Sequence, residues 1–221
     1  MQLTQLVSVI QATHDFAQKF AVQQVNSALT IRNWMVGFYI VEYEQNGEDR
    51  AQYGAKLLPF LAKSLKSKNV KGLDERSLRD CRAFYQTYPQ IWGTLSPKLH
   101  EYGDRQNELF WAIVKKLDHA IDNLPEQDSF PPEILLSHLS FSHFVELLRA
   151  DTPLKRMFYE VQAIKNNWGV RELERAMNTM LFERTGLSAN KEAVLEKMKG
   201  SVPLSPTDVI KNPVLLDFLG L

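Results

Sequence analysis

The sequence predicts an all-α protein, a multi-helix bundle with a long N-terminal helix and helix-turn-helix-like elements. Three observations carry this. Apolar residues recur at i, i+3, i+4 and i+7 almost from the first residue. No segment shows the alternation of a half-buried strand. Cap and stop residues sit where helices need them.

Leu3, Leu6, Val7, Ile10, Ala17, Phe20 and Ala21 follow the helical spacing, and Ile31, Trp34, Met35, Phe38 and Val41 continue it. No proline interrupts residues 1–58. One long helix, or two nearly continuous ones, is expected over about 3–45, stopped near Gln45-Asn46-Gly47. A helix of that length outruns a small core, so its free part is expected to pair with another chain in a homo-oligomer.

A second helix is expected over about 52–67, with Leu57, Leu58, Leu61 and Leu65 inward and Pro59 in its first turns or at a kink. The basic connector KSKNVKG follows. Asp74 then has the character of an N-cap. Leu73 and Leu78 flank it as a hydrophobic staple. The helix it opens runs to Tyr88, buries Leu78, Cys81, Tyr85 and Tyr88, and stops at Pro89.

Residues 104–124 read as another amphipathic helix, with Phe110, Ile113, Val114, Leu117, Ile121 and Leu124 on one face. Pro131 or Pro132 opens a short helix reaching His138. Ser140 caps a helix over 141–150, with Leu139 and Phe144 as a second staple. Thr152-Pro153 is an N-cap followed by proline at the first helical position. Leu154, Met157, Phe158, Val161 and Ile164 line the helix that follows. Asn166-Asn167-Trp168-Gly169 breaks it. A last helix from Val170 to about Arg184 should turn Val170, Leu173, Met177, Met180 and Leu181 inward. After Gly186 the prolines at 203, 206 and 213 suggest a tail or linker. The expected organisation is a helical domain over 1–185 and a tail over 186–221.

Bulk composition excludes more than it assigns. The chain has 221 residues, 44% hydrophobic and 24% charged, with zero formal net charge. That suits one good core and is too apolar for disorder. The single cysteine, Cys81, forms neither an internal disulfide nor a thiolate metal cluster. It falls on an apolar helix face, as a buried small hydrophobe would. The N-terminus lacks the basic flank of a signal peptide, and no apolar run nears the roughly 20 residues of a membrane span. A cytoplasmic protein without membrane contact is expected.

The motifs of chemistry are missing. There is no glycine-rich phosphate cradle, no H-E-x-x-H and no G-x-S-x-G. The histidines are scattered, and the closest pair, His138 and His143, straddles a helix break. Restriction-type nucleases orient water with a lysine two residues after a metal-binding acid. No Asp or Glu here has Lys at that position. No catalytic residue, metal site or cofactor is expected.

One region has an interface character. From Lys63 to Arg82 seven cations (Lys63, Lys66, Lys68, Lys71, Arg76, Arg79, Arg82) meet three anions (Asp74, Glu75, Asp80). Arg79, Arg82 and Gln86 should share the face opposite the Leu78/Cys81/Tyr85 core face. An apolar helix, a basic turn and a capped helix with arginines outward is the layout of a helix-turn-helix reader of duplex DNA. In it, Lys66, Lys68 and Lys71 would meet phosphates, while Arg76, Arg79, Arg82 and Gln86 face the groove. Against this, the span from Lys66 to Leu73 exceeds a tight turn, and a solvated basic face is common. A second candidate joins Lys165 to Arg171 and Arg175, which lie one turn apart, with Glu172 and Glu174 as intrahelical partners at i+3. A thinner one is Ser142 with His143. The alternative to DNA binding is a helical oligomerisation or protein-interaction module whose basic face is incidental.

Several separated stretches also match a known pattern in order. They are Asn26–Leu29 leading to Trp34, Gly37 and Ile40–Glu42; then Tyr53–Leu58; then Leu73–Tyr88 with its R-x-F-Y-x-x-Y-P ending. Later come LSFSHFVELLR (139–149), FYEVQAIKNNWGVRELERAM (158–177) and NPVLLDFLGL (212–221). Together they resemble the N-terminal, DUF1016-type helical region of the bacterial YhcG family. Full-length members join this region to a C-terminal PD-(D/E)xK nuclease domain. Two departures stand out: Gly169 replaces the family's usual serine after the tryptophan, and 101–133 carries an extra helix. The resemblance implies the targeting half of a nuclease system, with the cutting domain beyond the D-F-L-G-L ending.

Overall fold

The computed structural model describes residues 2–46, 56–95, 111, 115 and 131–184. Every regular element among them is a helix. These are α1 (Leu3–Asn46), α2 (Leu57–Ser67), α3 (Glu75–Thr87), α4 (Pro132–His138), α5 (Phe141–Leu147), α6 (Pro153–Lys165), α7 (Val170–Asn178) and α8 (Leu181–Arg184). A helical run at 91–95 follows α3. The helix expected over 104–124 and the tail expected over 186–221 lie outside the described residues, apart from Trp111 and Lys115, which are helical. No described helix is long and apolar enough to cross a membrane.

Helix α1 is one unbroken helix of 44 residues, roughly 66 Å long at 1.5 Å per residue. Its C-terminal part is the spine of the body. Trp34 and Phe38 are buried there against the aromatic side of α3. The helices come close because residue 37 is glycine. A β-carbon at Gly37 would stand 2.0 Å from the Cys81 carbonyl oxygen, a distance no side chain tolerates.

The core is mainly aromatic. The Trp34 indole meets Tyr85 edge-on at 5.1 Å and stacks on Trp92 at 6.1 Å. Phe84 lies 4.5 Å from Phe144, and Tyr88 meets Phe144 edge-on at 5.0 Å. Polar links run through this apolar mass. Trp34 Nε1 donates to the Tyr88 carbonyl at 2.8 Å, and the Tyr88 hydroxyl donates to Glu160 Oε1 at 2.6 Å. These two bonds tie α1, the end of α3 and α6 together. A buried polar group costs stability unless it is hydrogen-bonded, so they also fix which groups can occupy the core. Burial pushes the Glu160 carboxyl above its ordinary range. It pushes the Tyr88 phenol well above its own.

Most expected caps are present. Asp74 accepts from the Ser77 amide at 2.7 Å, with Leu73 and Leu78 buried on either side as the staple. The Thr152 hydroxyl accepts from the Lys155 amide at 3.2 Å. Pro59 lies in the first turn of α2 and Pro132 opens α4. Three expectations need correction. Helix α5 ends at Leu147 rather than at 150, because the next amides bond three residues back, from Arg149 to Glu146 and from Ala150 to Leu147. The last helix is two: Met180, with φ 53°, turns the chain between α7 and α8 and is 55% exposed instead of inward. Phe84, unnamed among the expected core residues of α3, is fully buried beside Cys81.

Candidate nucleic-acid interface

Two helix–turn–helix units carry the expected cations, and both close in the same way. After α2, Asn69 adopts φ 60°. The Val70 amide returns to the Leu65 carbonyl at 3.0 Å and the Asn69 amide to Lys66 at 3.1 Å. After α6, Asn167 adopts φ 51°, the Trp168 amide reaches Ala163 at 2.9 Å and the Asn167 amide reaches Ile164 at 3.2 Å. This paired return is the Schellman motif, with asparagine in the left-handed position that glycine more often fills. Asparagine tolerates that conformation better than other side-chain-bearing residues.

The two units differ in turn length. Residues 68–74 separate α2 from α3, whereas only 166–169 separate α6 from α7. Three to four residues is the usual helix-turn-helix spacing. The first turn needs a second left-handed residue, Gly72 at φ 77°, to reach the Asp74 cap.

On the first unit Lys63, Lys66, Lys68 and Lys71 are exposed, and no described residue pairs with them. The arginines of α3 are engaged to different degrees. Arg76 stays exposed, 4.0 Å from Asp80. Arg79 holds Glu75 at 2.8 Å, also in the open. Gln86 is exposed. Arg82 does not join that open face as the sequence suggested. Its guanidinium pairs with Glu44 of α1 at 2.7 Å and its side chain is only 33% exposed. The close approach of the two helices at Gly37 brings Glu44 within reach, so Arg82 ties α3 to α1.

The structure adds a cation that sequence spacing did not bring forward. Arg32 of α1 is exposed and reaches the basic turn. One guanidinium nitrogen lies 3.9 Å from where a β-carbon on Gly72 would stand. The same guanidinium is steadied by two bonds to Asn33 Oδ1, at 2.8 and 3.1 Å. Forty residues of chain separate Arg32 from Gly72, so only the α1–α3 contact puts them together.

On the second unit Lys165, Arg171 and Arg175 are exposed. The expected intrahelical pairing is not what forms. Glu172 turns back and its Oε2 accepts the Gly169 amide at 2.7 Å, the reciprocal half of a capping box. That bond satisfies the Gly169 amide, while Gly169, with no side chain, offers no cap to the amides of the first turn. Arg171 and Arg175 make no ion pair among the described residues.

The third candidate dissolves. Ser142 is exposed, but His143 is buried: its Nδ1 accepts from the Ser140 amide at 3.1 Å and its Nε2 lies 3.0 Å from the Trp168 carbonyl. The first bond makes Nδ1 the acceptor, which leaves Nε2–H to donate. Burial lowers the pKa of the ring. His143 therefore joins α5 to the α6–α7 turn as a neutral imidazole. Cys81 is equally unavailable, fully buried with its thiol pushed up to about 12.

The model of the DUF1016 N-terminal domain matches residues 8–123 and 125–184. The chain belongs to that family. It is also 33% identical over 210 residues to a protein of Escherichia coli strain K12 named "Putative nuclease YhcG". The match covers 94% of this chain and 53% of that protein, so the chain spans about half the length of the curated relative. No solved structure matches. The resemblance read from the separated motifs is thus established, and a nuclease-associated N-terminal domain is the coarse description it supports.

Proposed function

We propose that this chain is a non-catalytic module that grips duplex DNA and positions a PD-(D/E)xK nuclease domain carried by full-length relatives. The observation that carries the reading is the α2–α3 turn. Four exposed lysines, 63 and 66 on α2 and 68 and 71 on the turn that follows, stand with Arg32 and without an acidic partner among the described residues. Cations without an ion partner are suited to phosphates, because binding a phosphate costs them no existing ion pair.

The reading gives each residue a role. Lys66, Lys68 and Lys71 contact phosphates, and Arg32 adds to them. Arg76, Arg79 and Gln86 form the open side of α3. Arg82 supports that helix from beneath. Arg171 and Arg175, with Lys165 at the end of the preceding helix, form a second contact on α7, whose four-residue turn is the better match to a groove-reading unit.

Fluorescence anisotropy with duplex DNA, single-stranded DNA and RNA across a salt series tests this. Duplex binding should weaken steeply with salt. Changing Lys66, Lys68 and Lys71 to Ala should flatten the slope by about 0.9 for each phosphate that is no longer neutralised. Arg171→Ala and Arg175→Ala should each cost about 1–3 kcal/mol where the side chain reads a base. Duplex affinity that is indifferent to the three lysines and the two arginines would remove the reading.

A further inference from the structure

The N-terminal part of α1 is the one long helical segment of the described residues that touches almost nothing. Every residue from Gln2 to Asn26 is exposed. The exposed apolar side chains include Leu3 at 76%, Ile10 at 60%, Val7 at 57%, Phe16 at 54% and Phe20 at 52%. This arm is about 36 Å long. It has poor means of standing alone. Thr4, Val7, Val9, Ile10 and Thr13 are β-branched, and the first turn holds no acid to meet the helix dipole. Most helical stability in proteins comes from packing an amphipathic face rather than from propensity.

The exposed residues are ordered. Leu3, Leu6, Ile10, Thr13, Ala17 and Phe20 follow a strict alternation of three and four, the seam of a coiled coil. Val7, Val9 and Phe16 flank it. At about 100° per residue, Leu6, Ile10, Ala17 and Phe20 lie on the side opposite Lys19, Val22 and Asn26. Those last three border a cleft of about 900 Å³ where α1 passes the α4–α5 turn, and there Gln23 Nε2 bonds the Ser137 carbonyl. The seam therefore faces away from the described body of the chain.

We infer that a second copy of this chain covers the seam, antiparallel to the first, over residues 3–20. Three features select that occupant. Asp15 and Lys19 are the only formal charges between residues 2 and 26, so two copies meet without repulsion. A membrane surface would call for a lysine- and arginine-rich polar face. The side-chain sizes are self-complementary in one direction only. Antiparallel pairing sets Leu3 opposite Phe20, Leu6 opposite Ala17 and Ile10 opposite Thr13, each large residue against a different-sized one. Parallel pairing would stack Phe20 on Phe20 and leave Thr13 and Ala17 as hollow layers. Burying the stripe on both copies removes on the order of 1,200 Å² from water, at the lower edge of specific interfaces. Antiparallel arms also put the two bodies at opposite ends, where they do not collide. The inference is independent of the DNA-binding reading.

Sedimentation and disulfide trapping test it. The chain should sediment as a dimer at micromolar concentration. The double change Leu6→Glu and Ile10→Glu should halve the mass while leaving the body's thermal unfolding in place. A mixture of Leu3→Cys and Phe20→Cys chains should cross-link on oxidation, and neither should do so alone. Cys81 is buried and does not compete. A monomeric wild-type chain, a dimer that survives the double change, or Leu3→Cys chains that cross-link with one another would overturn the inference.

Discussion

Two halves of one helix behave as different molecules. From Thr30 to Val41, α1 is built into the aromatic core: Trp34 is fully buried and Phe38 is 4% exposed. From Gln2 to Asn26 the same helix, with a similar apolar stripe, is exposed throughout. Phe20 and Phe38 have the same side chain and the same helical backbone. Only the second has α3 across from it. An apolar stripe thus states a demand for burial and does not name what meets it. In the body the demand is met within the chain. In the arm it stands open among the described residues, and the proposed second copy would meet it.

The comparison can be broken from the body side, where the largest effects lie. Trp34→Ala should cost about 3–5 kcal/mol, since it empties core volume and removes the indole bond to the Tyr88 carbonyl, which keeps only the Ile91 amide. Gly37→Ala should cost about 3 kcal/mol or more by forcing α1 off Cys81, despite the better helix propensity of alanine. Urea unfolding monitored by tryptophan fluorescence reads both. A Gly37→Ala chain as stable as wild type would mean the helices do not approach as described.

Next in size are two buried ionisable groups with opposite pH signatures. Burial lowers the pKa of His143 below its ordinary 6.5. Its contribution is complete above that value and is lost as pH falls through 6.5 toward the folded pKa, because the unfolded chain takes up the proton first. His143→Gln keeps an acceptor for the Ser140 amide and should make stability less sensitive between neutral and mildly acidic pH. Burial raises the pKa of Glu160 above 4.5. Its contribution is complete below 4.5 and is lost as pH rises toward the folded pKa. Glu160→Gln keeps an acceptor for Tyr88, so its advantage over wild type should grow from acidic to neutral pH. An advantage that shrank along that series would refute the buried-carboxyl description.

The smallest effect sharpens the comparison from the arm side. Val25 is 58% exposed and lies off the coiled-coil seam. Val25→Ala should change stability by less than about 0.5 kcal/mol. A loss of the size expected at Trp34 would show that the arm packs against something other than the proposed seam.

Much of this molecule was determined by sequence alone. Helical period, the Asp74 and Thr152 caps, the Leu73/Leu78 staple and the burial of Cys81 follow from spacing and side-chain chemistry within a few residues. The family, too, was legible from motifs in order. What only the tertiary structure decided involves partners distant in the chain. Arg82 looked free because Glu44, 38 residues earlier, is invisible to helical periodicity. Arg32 joined the basic turn for the same reason. Glu160 sits in an apolar stretch, and nothing near it in the chain shows that Tyr88 donates to it. Arg171 and Arg175 looked paired because spacing counts Glu172 as a neighbour, whereas that carboxylate turns back to accept the Gly169 amide. Local rules reach about one helical turn, and an ion pair or a core hydrogen bond is set by whichever element packs across it.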